Sequence, residues 1–206
     1  MPLTAWRDRL FPSPDLDSLV IWALDLEMSG LDAARDQILA VGMVPIRNGI
    51  IRYGDRFESL VRPPDLPGLS SEGMRAHHLL PADLEAAPPL AEVLPQIDRR
   101  LREGPLLLHF ADVDRAFLES SYRTHGLTWP SPPVIDTVGL LLKLQRRLEQ
   151  WTPNPAPRRT ALADARAAVG LPAYREHDAL CDALATAELF LALTNRLGAR
   201  KLRDVR

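Results

Sequence analysis

Apolar and branched residues run almost unbroken from Leu19 to Leu26, the pattern of a strand buried on both faces. A second apolar segment covers Ile38 to Ile46. It ends in Arg47-Asn48-Gly49 before Ile50, where Asn-Gly signals a tight hairpin. A third strand is predicted through Tyr53, Phe57 and Val61. Leu90, Val93, Leu94, Ile97 and Leu101 then recur at spacings of three and four, which predicts an amphipathic helix over 89 to 103, with Gly104 ending it. Pro105 to Phe110 reads as a fourth strand, followed by a helix carrying Phe117, Leu118 and Tyr122. Val134-Ile135 reads as a fifth strand, followed by a helix through Leu140 to Leu148. Residues 151 to 159 hold three prolines and form a long loop, and two helices near 160 to 169 and 179 to 197 complete the pattern. Three strands in hairpin succession followed by alternating helix and strand describe an α/β fold. The expectation is a mixed five-stranded sheet with helices on both faces.

Ahead of the first strand, residues 1 to 18 carry Trp6, Leu10, Phe11 and a Pro-Ser-Pro-Asp turn signal, as a short arm docked on the domain would. One domain over 19 to 200 and a short tail over 201 to 206 account for the rest. The formal charge of -2 removes any global basic field, which argues against tight non-specific nucleic-acid binding. It leaves room for an acidic pocket in which metal ions meet a phosphate. The single cysteine, Cys181, excludes an internal disulfide and a cysteine-based zinc cluster and fits a reducing cytoplasm. No apolar run is long enough to span a bilayer, so no membrane role is expected.

Three groups of residues carry candidate chemistry. Asp25 and Glu27 close the first strand with one residue between them, so both side chains leave the sheet on the same side. Two like charges at the edge of an apolar core are costly unless a cation neutralises them, and magnesium or manganese prefers such oxygen ligands. An ordinary charged strand end followed by a Ser29-Gly30 turn is the competing reading. In the second group, His109 to Leu118, a strand passes into a helix. Asp112 or Asp114 there is either a helix cap or an acid facing the same sheet edge. The third group is His177-Asp178-Ala179-Leu180-Cys181-Asp182-Ala183. Five helical residues turn by about 500°, so His177 and Asp182 can act together only if His177 lies in the loop before the helix. With Leu180, Leu184, Ala187 and Leu191 turned to the core, Asp182 projects toward the sheet edge. A solvated His177 beside a capping Asp178 is the alternative.

Taken in order, acid-x-acid, acid, then His-x4-Asp resembles the DEDDh exonuclease family, which includes the proofreading epsilon subunit of bacterial replicative polymerases, ribonuclease T and oligoribonuclease. The resemblance covers residues 20 to 195. Its motifs are Asp25-Leu26-Glu27-Met28-Ser29-Gly30-Leu31, then Asp114 with Phe117-Leu118, then His177 with Asp182-Ala183. It implies a ribonuclease H-like sheet and a site with two divalent ions, Mg2+ or Mn2+, held by Asp25, Glu27, Asp114 and Asp182. It also implies His177 as general base and Met28, Ser29 and His77 as substrate-binding residues. The chain departs from epsilon-like members at Phe110, where they commonly have Asn, and at Val113, where they have Phe.

The activity expected from the resemblance is 3′-5′ removal of nucleoside 5′-monophosphates from single-stranded or frayed DNA or RNA ends. A catalytically idle module that binds strand ends or a protein partner is the alternative. Little chain follows the last motif and no sliding-clamp peptide is evident, so stable association with a polymerase or clamp is not expected.

Overall fold

The computed structural model of the chain describes residues 13–65, 79, 81–150 and 159–206. Strand β1 (Val20–Met28) pairs antiparallel with β2 (Ile38–Arg47) along its whole length. On its other side β1 pairs in parallel with β5 (Leu106–Leu108), which in turn pairs in parallel with β6 (Val134–Asp136). The first strand is therefore central, and it neighbours the strand read from the sequence as the fourth. Asn48 and Gly49 both adopt positive φ, 53° and 69°, and join β2 to β3 (Ile50–Ile51) with Arg47 opposite Ile50, the backbone that a two-residue Asn-Gly turn requires.

The third strand differs from the expectation. It is interrupted by a 3-10 turn at Tyr53–Asp55 and resumes as β4 (Phe57–Leu60), also antiparallel to β2, so the mixed sheet has six strands. The break lies at Pro45, whose carbonyl accepts the Arg52 N–H at 2.8 Å. Proline has no N–H to return the second ladder bond, and the chain leaves the sheet there.

Helices α1 (Pro81–Ala86), α2 (Leu90–Leu101), α3 (Ala111–Thr124), α4 (Thr137–Glu149), α5 (Leu162–Ala168) and α6 (Ala179–Leu197) surround the sheet. Side-chain alternation along β1 separates two cores. Ile21 and Ala23 join Leu107, Ile135, Leu140, Phe190 and Leu193 on the face covered by α4 and α6. Trp22, Leu24 and Leu26 join Leu94, Ile97, Leu106, Phe117 and Leu118 on the face covered by α2 and α3. Helix α1 was not foreseen, although Pro81 at its first position and Asp83 in its first turn are a recognisable start signal. Gly104 does not end α2 through a positive φ. Its role is steric, since a Cβ there would collide with the Val20 carbonyl.

The described parts of the expected arm and tail meet each other. Leu16 N–H donates to the Arg200 carbonyl and Leu202 N–H to the Pro14 carbonyl, and Leu16 and Val205 are both buried in the first core. Trp6, Leu10, Phe11 and residues 151–158 of the proline-rich loop lie outside the described residues.

Candidate active site

By the alternation of β1, Asp25 and Glu27 share the face of Ile21 and Ala23, the face on which α6 lies. Gly42 stands opposite Asp25 in the β1–β2 register. A Cβ on Gly42 would overlap the Ala179 carbonyl and the Leu180 nitrogen, so the missing side chain is what lets the first turn of α6 settle onto the sheet. That turn carries Asp182. The outcome is a trio: one oxygen each of Asp25, Glu27 and Asp182 lie within 4.8 Å of one another. Glu27 and Asp182 are buried and Asp25 is partly open.

His177 lies before α6, as its spacing from Asp182 demands. It takes a left-handed backbone, φ 64°, and its N–H donates to Asp182 Oδ2 at 3.0 Å. Its side chain is exposed and lines, with Glu27, a pocket of about 340 Å³ whose other walls include Val41, Glu58, Leu60 and Leu180. Asp178 is the N-cap of α6, accepting the Cys181 N–H at 2.9 Å. The capping role of Asp178 is thus compatible with a His177 that lines the same pocket as Glu27.

Asp114 stands beside the trio. Parallel pairing supplies the Trp22 N–H with the Pro105 carbonyl, but β5 ends at Leu108. Asp114 Oδ1, one turn into α3, accepts the Leu26 N–H at 3.1 Å, so it secures β1 between the Asp25 and Glu27 carboxylates. Phe110, not an aspartate, occupies the cap position of α3.

The electrostatics are those of a site suited to cations. Burial holds the Asp25 carboxyl well above its ordinary range, with further upward pressure from Asp114, Asp182, Glu27 and Asp178. Burial also pushes Asp114 up to about 7, against the opposing Leu26 N–H and with help from Glu27 and Asp136. Asp182 is raised chiefly by burial and by Glu27, while the Tyr174 hydroxyl and the His177 N–H work in the other direction. Its Oδ1 is buried and meets no well-aligned donor among the described residues. A hard divalent cation fits this set, because it satisfies oxygen donors and removes the repulsion that ionising them creates.

Met28 is partly buried against the second core. The Ser29 hydroxyl is committed to its own loop, accepting the Gln37 N–H at 2.9 Å and donating to Asp36 Oδ1 at 3.2 Å. His77 lies outside the described residues. His109 is buried with Nδ1 2.7 Å from Thr137 Oγ1 and Nε2 2.8 Å from the Thr160 carbonyl, so it holds the start of the α5 segment rather than facing the acids. Sequence reasoning missed Tyr174 and Asp136. Asp136 could have been found as a strand-to-helix cap, since it accepts the Val138 N–H at 2.9 Å. Tyr174 lies in an irregular loop that gives no periodic signal.

Residues 22–190 match the family model RNase_T, described as Exonuclease. The chain is 31% identical over 189 residues to a DNA polymerase III subunit epsilon-like protein of Rhodobacter capsulatus, covering 91% of this chain and 25% of that protein. It is also 31% identical over 189 residues to the DNA polymerase III PolC-type of Thermotoga maritima, covering 88% of this chain and 12% of the relative. The chain thus spans a quarter or less of the length of these relatives. Among solved structures, cell-death related nuclease 4 superposes with TM-score 0.74 at 16% identity, covering 90% of this chain and 66% of the other. E. coli exonuclease I in complex with a dA16 oligonucleotide superposes with TM-score 0.73 at 15% identity, covering 87% and 42%. Among the described residues, no helix is long and apolar enough to cross a membrane.

Proposed function

Since the chain belongs to the RNase_T exonuclease family, we propose that it is a DEDDh-type 3′-5′ exonuclease that shortens single-stranded or frayed DNA or RNA one nucleotide at a time. The observation that carries this reading is the trio of Asp25, Glu27 and Asp182 within 4.8 Å, with exposed His177 on the rim of the same pocket as Glu27. Asp25, Glu27 and Asp182 would hold one divalent ion, Asp25 would help hold a second, and Asp114 keeps β1 in register beneath them. Magnesium or manganese at these positions supplies positive charge to the phosphodiester and to the departing oxygen.

The chain's own residues do the rest. His177 accepts the proton of the attacking water when its imidazole is neutral. The water oxygen bonds to phosphorus and the bond to the 3′ oxygen of the preceding nucleotide breaks. A nucleoside 5′-monophosphate leaves, and the 3′ oxygen takes a proton from solvent. The pocket beside Glu27 and His177 receives the terminal nucleotide, and Met28, which packs against the second core, is retained as a substrate-binding candidate on the resemblance alone. Any contact from Ser29 comes through its carbonyl, because its hydroxyl and its N–H are both engaged within the loop. His77 is retained as a substrate-binding candidate on the resemblance alone.

End-labelled single-stranded DNA and RNA, incubated with and without manganese, test the reading. Stepwise metal-dependent shortening from the 3′ end with monophosphate release is expected. Cuts within a circular single strand, or no metal-dependent shortening of either polymer, would sink it.

A further inference from the structure

Phe110 joins β5 to α3 with φ 60° and ψ 57°, a left-handed conformation that an aromatic L residue rarely adopts. Its side chain is 46% exposed, one of the few large apolar side chains left in solvent among the described residues. Its ring lies nearly perpendicular to that of His109, with centroids 4.9 Å apart, and it belongs to none of the apolar clusters of the described residues. Core packing therefore explains neither the residue nor its backbone. Strain that burial does not compensate tends to be held where a function needs it.

The topology places Phe110 on a particular flank of the site. The sheet runs β2, β1, β5 across this edge, with β4 on the outer side of β2. The pocket beside Glu27 and His177 is walled by β2, β4 and the start of α6, and the carboxylates of β1 come next. The β5–α3 corner with Phe110 lies beyond them, four residues from Asp114. A strand whose last nucleotide fills the pocket and whose last phosphodiester lies on the acids would continue toward this corner of the sheet. We propose that Phe110 is a stacking platform for the penultimate base, an inference that rests on the exonuclease reading above. Aromatic stacking of this kind is tolerant of base identity, so the platform would hold strands of any sequence in line with the acids.

The test is a double-mutant cycle between protein and substrate. One arm compares Phe110→Asn with the unaltered chain, and the other compares a normal oligonucleotide with one abasic at the penultimate position. Asn tolerates the left-handed backbone, so the variant should melt at the same temperature or higher. It should bind a fluorescent strand about tenfold more weakly, with the loss in KM rather than kcat. The abasic strand should lose about tenfold with the unaltered chain and nothing further with the variant, while Phe110→Tyr restores binding. Equal abasic losses in both proteins would overturn the proposal. So would a variant that loses stability and keeps affinity, since Phe110 would then be a cover for His109. Failure of the unaltered chain to bind or shorten any strand is a different result, and it overturns the exonuclease reading along with this one.

Discussion

The two halves of the acidic trio are built in different ways. Asp25 and Glu27 come from the last regular residues of β1, before its register shifts after Glu27, where strand alternation alone puts both side chains on one face. Asp182 reaches them from another element, through a close approach that Gly42 permits. It is steadied by the backbone of His177 in a left-handed conformation. The first half depends on local periodicity and the second on contact between elements far apart in sequence. Damage to the first should therefore be chemical, removing a ligand from an intact frame, whereas the second can also be broken by geometry with every functional group still present.

The largest effect is expected from the acids themselves. Asp25→Asn or Asp182→Asn should lower cleavage of an end-labelled strand by about 10³ or more, since a metal's transition-state contribution is several kcal/mol. Melting in the absence of metal should be unchanged or higher, because one of several clustered charges is gone. Retention of a tenth of the activity by either variant would contradict the site. His177→Asn comes next, with a loss on the order of 10² to 10⁴. Asn tolerates positive φ, so the N–H to Asp182 should survive and calorimetric metal affinity should hold. Equal single-turnover rates for this variant and the unaltered chain would remove the imidazole from the mechanism. Neither neighbour is an easy substitute, because Asp178 caps α6 and His109 is buried between Thr137 and Thr160.

What could be read from the sequence follows the same division. The β1 acids, the Asn48-Gly49 hairpin and the position of His177 outside α6 rest on local rules, and the structure has all three. The apolar stripe of α6 was read in part. Leu180 and Ala187 are buried as expected, but Leu184 and Leu191 are only partly buried, and Ala183, Phe190 and Leu193 complete the inner face. Small residues are needed where a helix lies close to a sheet, and a pattern weighted by large apolar residues passes over them. The split third strand needed the absent N–H of Pro45 to be set against a partner three-dimensionally adjacent to it. The bond from Leu26 to Asp114 joins positions 88 apart in the chain, beyond the reach of any local pattern.

Gly42→Ala tests the geometric half without touching a functional group. The added methyl would meet backbone atoms of Ala179 and Leu180, which cannot swing aside as a side-chain tip can, so α6 must lift. Overpacking of this kind costs about 1–3 kcal/mol, and misplacing a catalytic group by about 1 Å can cost 10²-fold in rate. A loss of activity near that size, with metal affinity reduced as well, is expected. Full activity and an unchanged melting temperature would show that the approach of α6 is not what places Asp182.

The smallest effect concerns pH and the carboxylate outside the trio. Burial raises the Asp114 carboxyl to about 7 in the folded chain, against roughly 3.9 for an aspartate in the unfolded one. Below about pH 4 both states are protonated and the stability associated with this group is present in full. Between there and pH 7 only the folded chain keeps the proton, so stability falls as pH rises through that window. Asp25 and Asp182 are shifted in the same direction and add to the trend. The metal-free chain should therefore melt on the order of 5 °C lower at pH 8 than at pH 5, since about 1 kcal/mol moves the melting point by roughly 2–4 °C at this size. Asp114→Asn keeps an oxygen to accept the Leu26 N–H and has nothing to ionise, so its melting curve should flatten across the same range. Saturating manganese should flatten that of the unaltered chain, because metal binding favours the deprotonated ligands. Parallel pH profiles for the variant and the unaltered chain, both metal-free, would mean that Asp114 ionises as easily as an exposed carboxylate and that its burial against β1 carries no electrostatic cost.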